Sequence, residues 1–309
     1  MKNSPFYKQT ELMLKCLAPL SQHKEFALKG GTALNFFIFN LPRLSVDIDL
    51  VYLPETDHEV GLRAISDGLE LLGTRLKAVI LNAKIHKTIS KDSKNIQKIS
   101  VMSDGQVVTI EPNLVIRQTL KKPKLQTIVK RAEEMFETSH ETLLLDTNEI
   151  LAGKICAALD RQHPRDFFDV HHLFEEKMQS DDLRKLFIAY LCSGNRPLHE
   201  VLFPTLLDIK NIHQKQFEGM THDEVSLETL YEARDKLIKW IHQSLTHEEK
   251  EFLISFVELK PVFSKLGIAK AESFPSIHWK LINLEKLKKQ NSKKFNLQSS
   301  ELRKQLDKL

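Results

Sequence analysis

The sequence holds no apolar run approaching the ~20 residues that a membrane-spanning helix needs, so no transmembrane segment is expected. Cysteine is scarce: Cys16, Cys156 and Cys192 are scattered, odd in number and without a CxxC pair. That excludes a disulfide framework and a cysteine-built zinc knuckle, and it suits a reducing compartment. The first residues, MKNSPFYKQTELMLKCL, lack the apolar stretch and small-residue cleavage site of a secretory signal, so a cytoplasmic location is expected. Internal repeats are absent, and the only biased stretch is the lysine-rich KLINLEKLKKQNSKKF. Neither sign of charge dominates. Forty-five Lys and Arg against 41 Asp and Glu leave +4, which permits a nucleic-acid partner without demanding one.

What is present is a chain of 309 residues, 41% hydrophobic and 28% charged, enough for two soluble domains. The expected fold class is α+β. A first domain over residues 1–145 would carry a mixed sheet, and a mainly helical domain would fill 146–309. Residues 7–21 read as an amphipathic helix, 25–28 as a short strand and 32–40 as a helix apolar nearly all round, hence buried. Residues 46–52 read as a strand and 57–72 as a helix capped by Asp57. Residues 76–90, 95–102 and 106–111 read as strands, with SDGQ as a hairpin turn.

Chemistry concentrates in the stretch from Leu28 to Leu53, LKGGTALNFFIFNLPRLSVDIDLVYL. Side chains alternate along a strand, so Asp47 and Asp49 share one face, with Cα atoms ~6.6 Å apart. Buried carboxylates are costly unless something pairs with them, and two at this spacing suit hard cations, which favour oxygen ligands. Glu111, closing the strand VVTIEP on the Thr109 face, supplies a third carboxylate for a site holding two ions. Gly30 and Gly31 precede a helix, whose free N–H groups and dipole suit phosphate, and glycine lets a triphosphate approach the backbone closely. Thr32 would add a hydroxyl donor.

Further on, DTNEILAGKICAALDR opens with Asp146 as cap and Glu149 three residues later, resembling a capping box. Leu151, Ile155, Ala158 and Leu159 form its packing face. Lys154 and Arg161 fall on another face with small Ala157 between them, a cationic stripe suited to triphosphate oxygens. Pro164 stands where a new helix should begin. Asp166 and Asp169 share a face of that helix, beside the apolar stripe Phe167, Val170 and Phe174. His163, His171 and His172 lack metal-ligand spacing, and Trp240 and Trp279 are expected in the core.

LKGGTALNFF and LPRLSVDIDL resemble the first motif of the DNA polymerase β-type nucleotidyltransferases. More narrowly, they are similar to the AbiEii/AbiGii family of nucleotidyltransferase toxins from toxin–antitoxin and phage-abortive systems. VTIEPNLVIRQTL resembles that family's third-carboxylate strand and GKICAALDRQHPRDFFDV its most distinctive block. FEGMT, ARDKLI and WKLINLEKLKK resemble its C-terminal region, so the likeness spans nearly the whole chain. Two departures stand out. Fifteen residues separate Gly31 from Asp47, longer than the common spacing, and Gly-Gly replaces the usual Gly-Ser.

The resemblance implies a polymerase β-like catalytic domain that moves a nucleoside monophosphate from an NTP to an acceptor hydroxyl and releases pyrophosphate. Asp47, Asp49 and Glu111 would bind two Mg²⁺ or Mn²⁺ ions, Gly30, Gly31 and Thr32 would cradle the phosphates, and Lys154 would hold the triphosphate. Arg43 and Ser45 would contact phosphate, orient the carboxylates or support them from behind. Arg161 would join the triphosphate stripe, and Arg165 would contact phosphate or pair with Asp169. The Lys154–Asp169 region would close the nucleotide site, with Asp166 or Asp169 positioning the acceptor hydroxyl. The implied acceptor is the 3′ end of tRNA, so that translation stops, and the implied partner is a cognate antitoxin. Two other readings keep different predictions: a nucleotidyltransferase acting on a protein or small molecule, and a non-catalytic binding module.

Overall fold

The computed structural model describes residues 1–2 and 4–309. The chain divides into two compact units. The first comprises residues 1–150 and 218–224, the second 151–217 and 225–309.

The first unit starts with α1 (Tyr7–Leu20), β1 (Phe26–Lys29) and α2 (Gly30–Ala33), which runs on as a π-turn through Leu34–Ile38. It continues with β2 (Ile48–Tyr52), α3 (His58–Val79), β3 (Lys84–Ile89), β4 (Ile96–Ser103) and β5 (Gln106–Pro112). β6 (Lys124–Thr127), α4 (Lys130–Phe136) and β7 (Glu141–Leu144) complete it. The strands form one mixed sheet in the order β3-β4-β5-β2-β1-β7-β6. β2 runs antiparallel to β1 but parallel to β5, and β1 runs parallel to β7. The fold class is therefore the expected α+β with a mixed sheet.

Several boundaries differ from the sequence reading. α3 does not stop at residue 72: Leu69, Leu72 and Leu76 keep a helical spacing and are all fully buried, so the helix runs to Val79. The strand expected from residue 76 thus begins only at Lys84. Val46 and Asp47 lie ahead of β2 rather than within it, and the glycine pair forms the first turn of α2 instead of preceding it. β6, α4 and β7 were not foreseen. The SDGQ turn is as expected, with Asp104 and Gly105 both at positive φ (48° and 76°), the backbone of a tight two-residue hairpin.

α5 (Thr147–Arg161) crosses the division between the units. Asp146 caps it, its carboxylate accepting from the Asn148 N–H at 3.0 Å. Glu149 is fully buried, and its carboxylate accepts the N–H groups of Leu120 and Lys121 at 2.8 and 2.9 Å. The second unit is otherwise helical: α6 (Pro164–Glu175), α7 (Asp181–Leu191), α8 (Leu198–Leu202), α9 (Lys210–Gln216), α10 (Leu227–Ser244), α11 (His247–Val257), α12 (Pro275–Gln290) and α13 (Ser292–Leu306). Leu151, Ile155, Ala158 and Leu159 are buried as expected, as are Phe167, Val170 and Phe174. Trp279, expected in the core, is 42% exposed. No helix among the described residues is long and apolar enough to cross a membrane.

Candidate functional site

In the first unit the chain turns sharply from β1 into α2 beside Asp49. Gly30 has φ +72°, a conformation that side-chain-bearing residues rarely adopt. A Cβ built there would lie 2.2 Å from Asp49 Oδ2. A Cβ on Gly31 would lie 2.8 Å from Arg43 Nη2 and 3.3 Å from Ser45 Oγ. The two glycines therefore let the backbone press against a carboxylate on one side and a guanidinium on the other. The Asn35 amide donates to the Gly31 carbonyl at 2.9 Å and helps hold the turn.

Thr32 is buried, and its hydroxyl donates to the Asp47 carbonyl at 2.6 Å, with Ser45 Oγ 2.9 Å away. The expected phosphate donor is thus directed at the backbone that carries Asp47. Ser45 is itself anchored through its carbonyl, which accepts from Thr10 Oγ1 at 3.1 Å. Arg43 is 2% exposed and donates to the Leu44 carbonyl at 2.9 Å. The short segment 218–224 returns to this place: Arg43 and Thr221 form a bridge, and Leu44 N–H donates to the Met220 carbonyl at 2.8 Å. Nothing in the local sequence pattern announces that return.

The strand register decides which acids meet. Asp49 on β2 stands directly opposite Glu111 on the parallel neighbour β5, and opposite Lys29 on antiparallel β1. Residues facing each other across a sheet project to the same side. Asp47 is joined to this group by chain proximity and by the Thr32 contact to its carbonyl. Glu111 is exposed and pairs with Lys98 Nζ at 3.4 Å. Lys29 and Lys98 had no place in the sequence reading. Strand alternation was the signal that could have found them, since each falls on the carboxylate side of its strand.

The donor set here is all oxygen, the type that Mg²⁺ or Mn²⁺ takes. Among the described residues, no three His, Cys, Asp or Glu side chains close on a common point. Two carboxylates in register, a third two residues upstream and a glycine backbone against one of them fit a hard cation in chemistry.

In the second unit, Lys154, Arg161, Asp166 and Asp169 come together. Lys154 Nζ lies 2.8 Å from Asp166 Oδ1 and 2.8 Å from Asp169 Oδ2, with both acids fully buried and Lys154 nearly so. Arg161, with its side chain more than half exposed, donates to Asp166 from Nε at 2.6 Å and from Nη2 at 2.9 Å. Both charges of the stripe expected on α5 turn toward α6, Lys154 becoming buried while Arg161 stays more than half exposed. The cause is the register of α6, which points both acids inward on the face that packs. Burial pushes the Asp166 carboxyl up, but the Lys154 charge and the Arg161 hydrogen bonds outweigh it and hold the group well below the usual carboxylate range. Arg165 lies in the first turn of α6, and its N–H donates to His163 Nδ1 at 3.1 Å. His163 Nε2 faces Gln216 Oε1 at 3.1 Å, and burial lowers its pKa, consistent with a neutral capping ring.

The protein is thus of the α+β class, with a mixed sheet that sets a glycine-turn helix beside in-register strand carboxylates. The model of the family "Nucleotidyl transferase AbiEii toxin, Type IV TA system" matches residues 12–243. The chain belongs to that family and is a nucleotidyltransferase toxin. Among solved structures it is similar to MenT4, a nucleotidyltransferase toxin from Mycobacterium tuberculosis H37Rv. The two are 16% identical with a TM-score of 0.57, over 89% of this chain and 92% of that one. That likeness supports the fold. A comparison of the sequence with curated proteins finds no match.

Proposed function

We propose that the first unit transfers a nucleoside monophosphate from an NTP to the 3′ end of tRNA in the cytoplasm, halting translation until a cognate antitoxin restrains it. The observation that carries this reading is the pairing of Asp49 with Glu111 across β2 and β5, beside a glycine turn that only a bare backbone can make. Asp47, Asp49 and Glu111 would hold the Mg²⁺ or Mn²⁺ ions, which supply charge neutralisation at the transferring phosphate and lower the acceptor hydroxyl's pKa. The protein's share is positioning. Gly30 and Gly31 open the helix N-terminus to phosphate oxygens. Thr32 fixes the Asp47 backbone, and Arg43 and Ser45 support the turn from inside. Catalysis by such a site is mostly orientation and preorganised charge. The test is incubation with each labelled NTP and either total tRNA or tRNA-free cell extract. Label on tRNA that disappears in Asp49→Asn supports the reading. Label only on protein, or on nothing, overturns it.

A further inference from the structure

Two of the carboxylates belong to one row that crosses the sheet. Lys29, Asp49 and Glu111 stand opposite one another on β1, β2 and β5. The β4–β5 register pairs Ile99 with Ile110, which carries Lys98 opposite Glu111, and β3 adds Thr88 opposite Lys98. The next row on the same face is His86, Ser100 and Thr109, and the one after it Lys84, Met102 and Val107. Rows on one face are ~6.6–6.8 Å apart and strands ~4.8 Å apart.

The two faces of these three strands are unlike. Ile99, Val101, Val108 and Ile110 point to the other side and are fully buried. α3 covers that side, and Lys87 there pairs with Glu70 of the helix. The face with the carboxylates is open: His86 and Lys84 are exposed, Met102 is 43% and Val107 40% exposed. Antiparallel sheets commonly leave one face in water. This one, however, carries lysines, hydroxyls and two apolar side chains, and the only acid on β3–β5 that shares it is Glu111.

Resting on the reading that the acceptor is RNA, we propose that the open face of β5-β4-β3 is the docking track for the acceptor's single-stranded 3′ end. Three features argue for that occupant. The track is continuous with the carboxylate row where the terminal hydroxyl must arrive. Its cations, Lys98 and Lys84, complement phosphates, while Ser100 and Thr109 offer hydroxyls to phosphate or 2′-OH groups. Met102, Val107 and the His86 ring offer surfaces for unstacked bases, the way single strands are commonly held. Phosphate contacts of this kind set position without reading sequence.

The test uses the full chain and labelled NTP, with total tRNA as acceptor. Lys84→Glu combined with His86→Glu reverses the far end of the track without touching the carboxylates. It should lower kcat/KM for RNA at least tenfold while KM for NTP stays unchanged. The neutral pair Lys84→Gln and His86→Gln should lower it about threefold and flatten the log–log salt dependence of RNA binding by ~0.7 for the lysine lost. The neutral pair decides the matter if the reversed pair fails to fold, as judged by its thermal midpoint. Labelling at the wild-type rate with the wild-type salt slope in the folded variants overturns the track. If the wild-type protein labels RNA and the variants do equally well, the track alone fails. If the wild-type protein labels no RNA, the acceptor reading fails and the track falls with it.

Discussion

Lys154→Met is the perturbation most sharply specified by the geometry. Lys154 carries the ammonium shared by Asp166 and Asp169, at 2.8 Å from each, with side-chain exposures of 6%, 0% and 0%. Methionine keeps the aliphatic bulk and removes the charge. Breaking a buried pair by deleting one partner typically costs ~3–5 kcal/mol, because a buried charge is left uncompensated. Arg161 still reaches Asp166, which argues for the lower half of that range. At ~2–4 °C per kcal/mol for a domain of 150–250 residues, a loss of ~3–4 kcal/mol should lower the thermal midpoint by ~6–16 °C. The deficit should also depend on pH. In the wild-type protein the folded-state pKa of Asp166 is depressed, so its contribution is present above the ordinary carboxylate pKa and fades as pH falls below it. In the variant, burial without the lysine disfavours the charged carboxylates, so protonation relieves the penalty as pH falls. Calorimetry at pH 7 and pH 4.5 should therefore show the gap between the two proteins narrowing in acid. A midpoint unchanged at pH 7 would refute the structural role and return Lys154 to the triphosphate role that the helix periodicity alone suggested.

Other outcomes follow from the same observations. Asp49→Asn and Glu111→Gln should each abolish nucleotide transfer while leaving the thermal midpoint unchanged or higher, since removing one of several neighbouring negative charges relieves repulsion. Turnover within tenfold of wild type would sink the carboxylate assignment. Gly30→Ala must place a Cβ 2.2 Å from Asp49 Oδ2 at φ +72°, so it should lose most transfer activity and more than ~1 kcal/mol of stability by denaturant titration. Thr32→Val leaves the Asp47 carbonyl without its hydroxyl donor; kcat should fall while KM for NTP changes little, and stability should drop by ~1–3 kcal/mol. In the C-terminal helices, changing Lys288, Lys289, Lys293 and Lys294 together to Ala should weaken RNA binding and flatten its salt slope in filter-binding assays, with NTP binding unaffected. Lys280 is left out of that set because it is buried and donates to the Asn195 and Arg196 carbonyls at 3.1 and 2.7 Å.

Much of the molecule is determined by local pattern. The helix starting at Pro164, the buried faces of α5 and α6, the strands with alternating burial and the Asp104–Gly105 turn all follow from periodicity, proline placement and turn chemistry. Asp47 and Asp49 stay close through chain connectivity alone, although Asp47 lies ahead of β2 rather than within it. The failures have equally physical causes. α3 outran its expected end because leucines at helical spacing continued to find a core, which composition near residues 73–80 does not reveal.

The sequence by itself could state that Lys154 and Arg161 share one side of α5 and that Asp166 and Asp169 share one side of α6. Only tertiary packing decided that these sides face each other, burying Lys154 between the two acids while Arg161 stays more than half exposed. Likewise, Asp49 and Glu111 are 62 residues apart, and alternation tells only which side of a strand each one occupies. Their meeting depends on β5 pairing parallel with β2 in one register, and a slip of a single residue would send Glu111 to the opposite face. Lys29, Lys98 and the segment 218–224 enter for the same reason. Strand order, register and the path of a returning loop are set by non-local hydrogen bonds and burial, which no window along the chain contains.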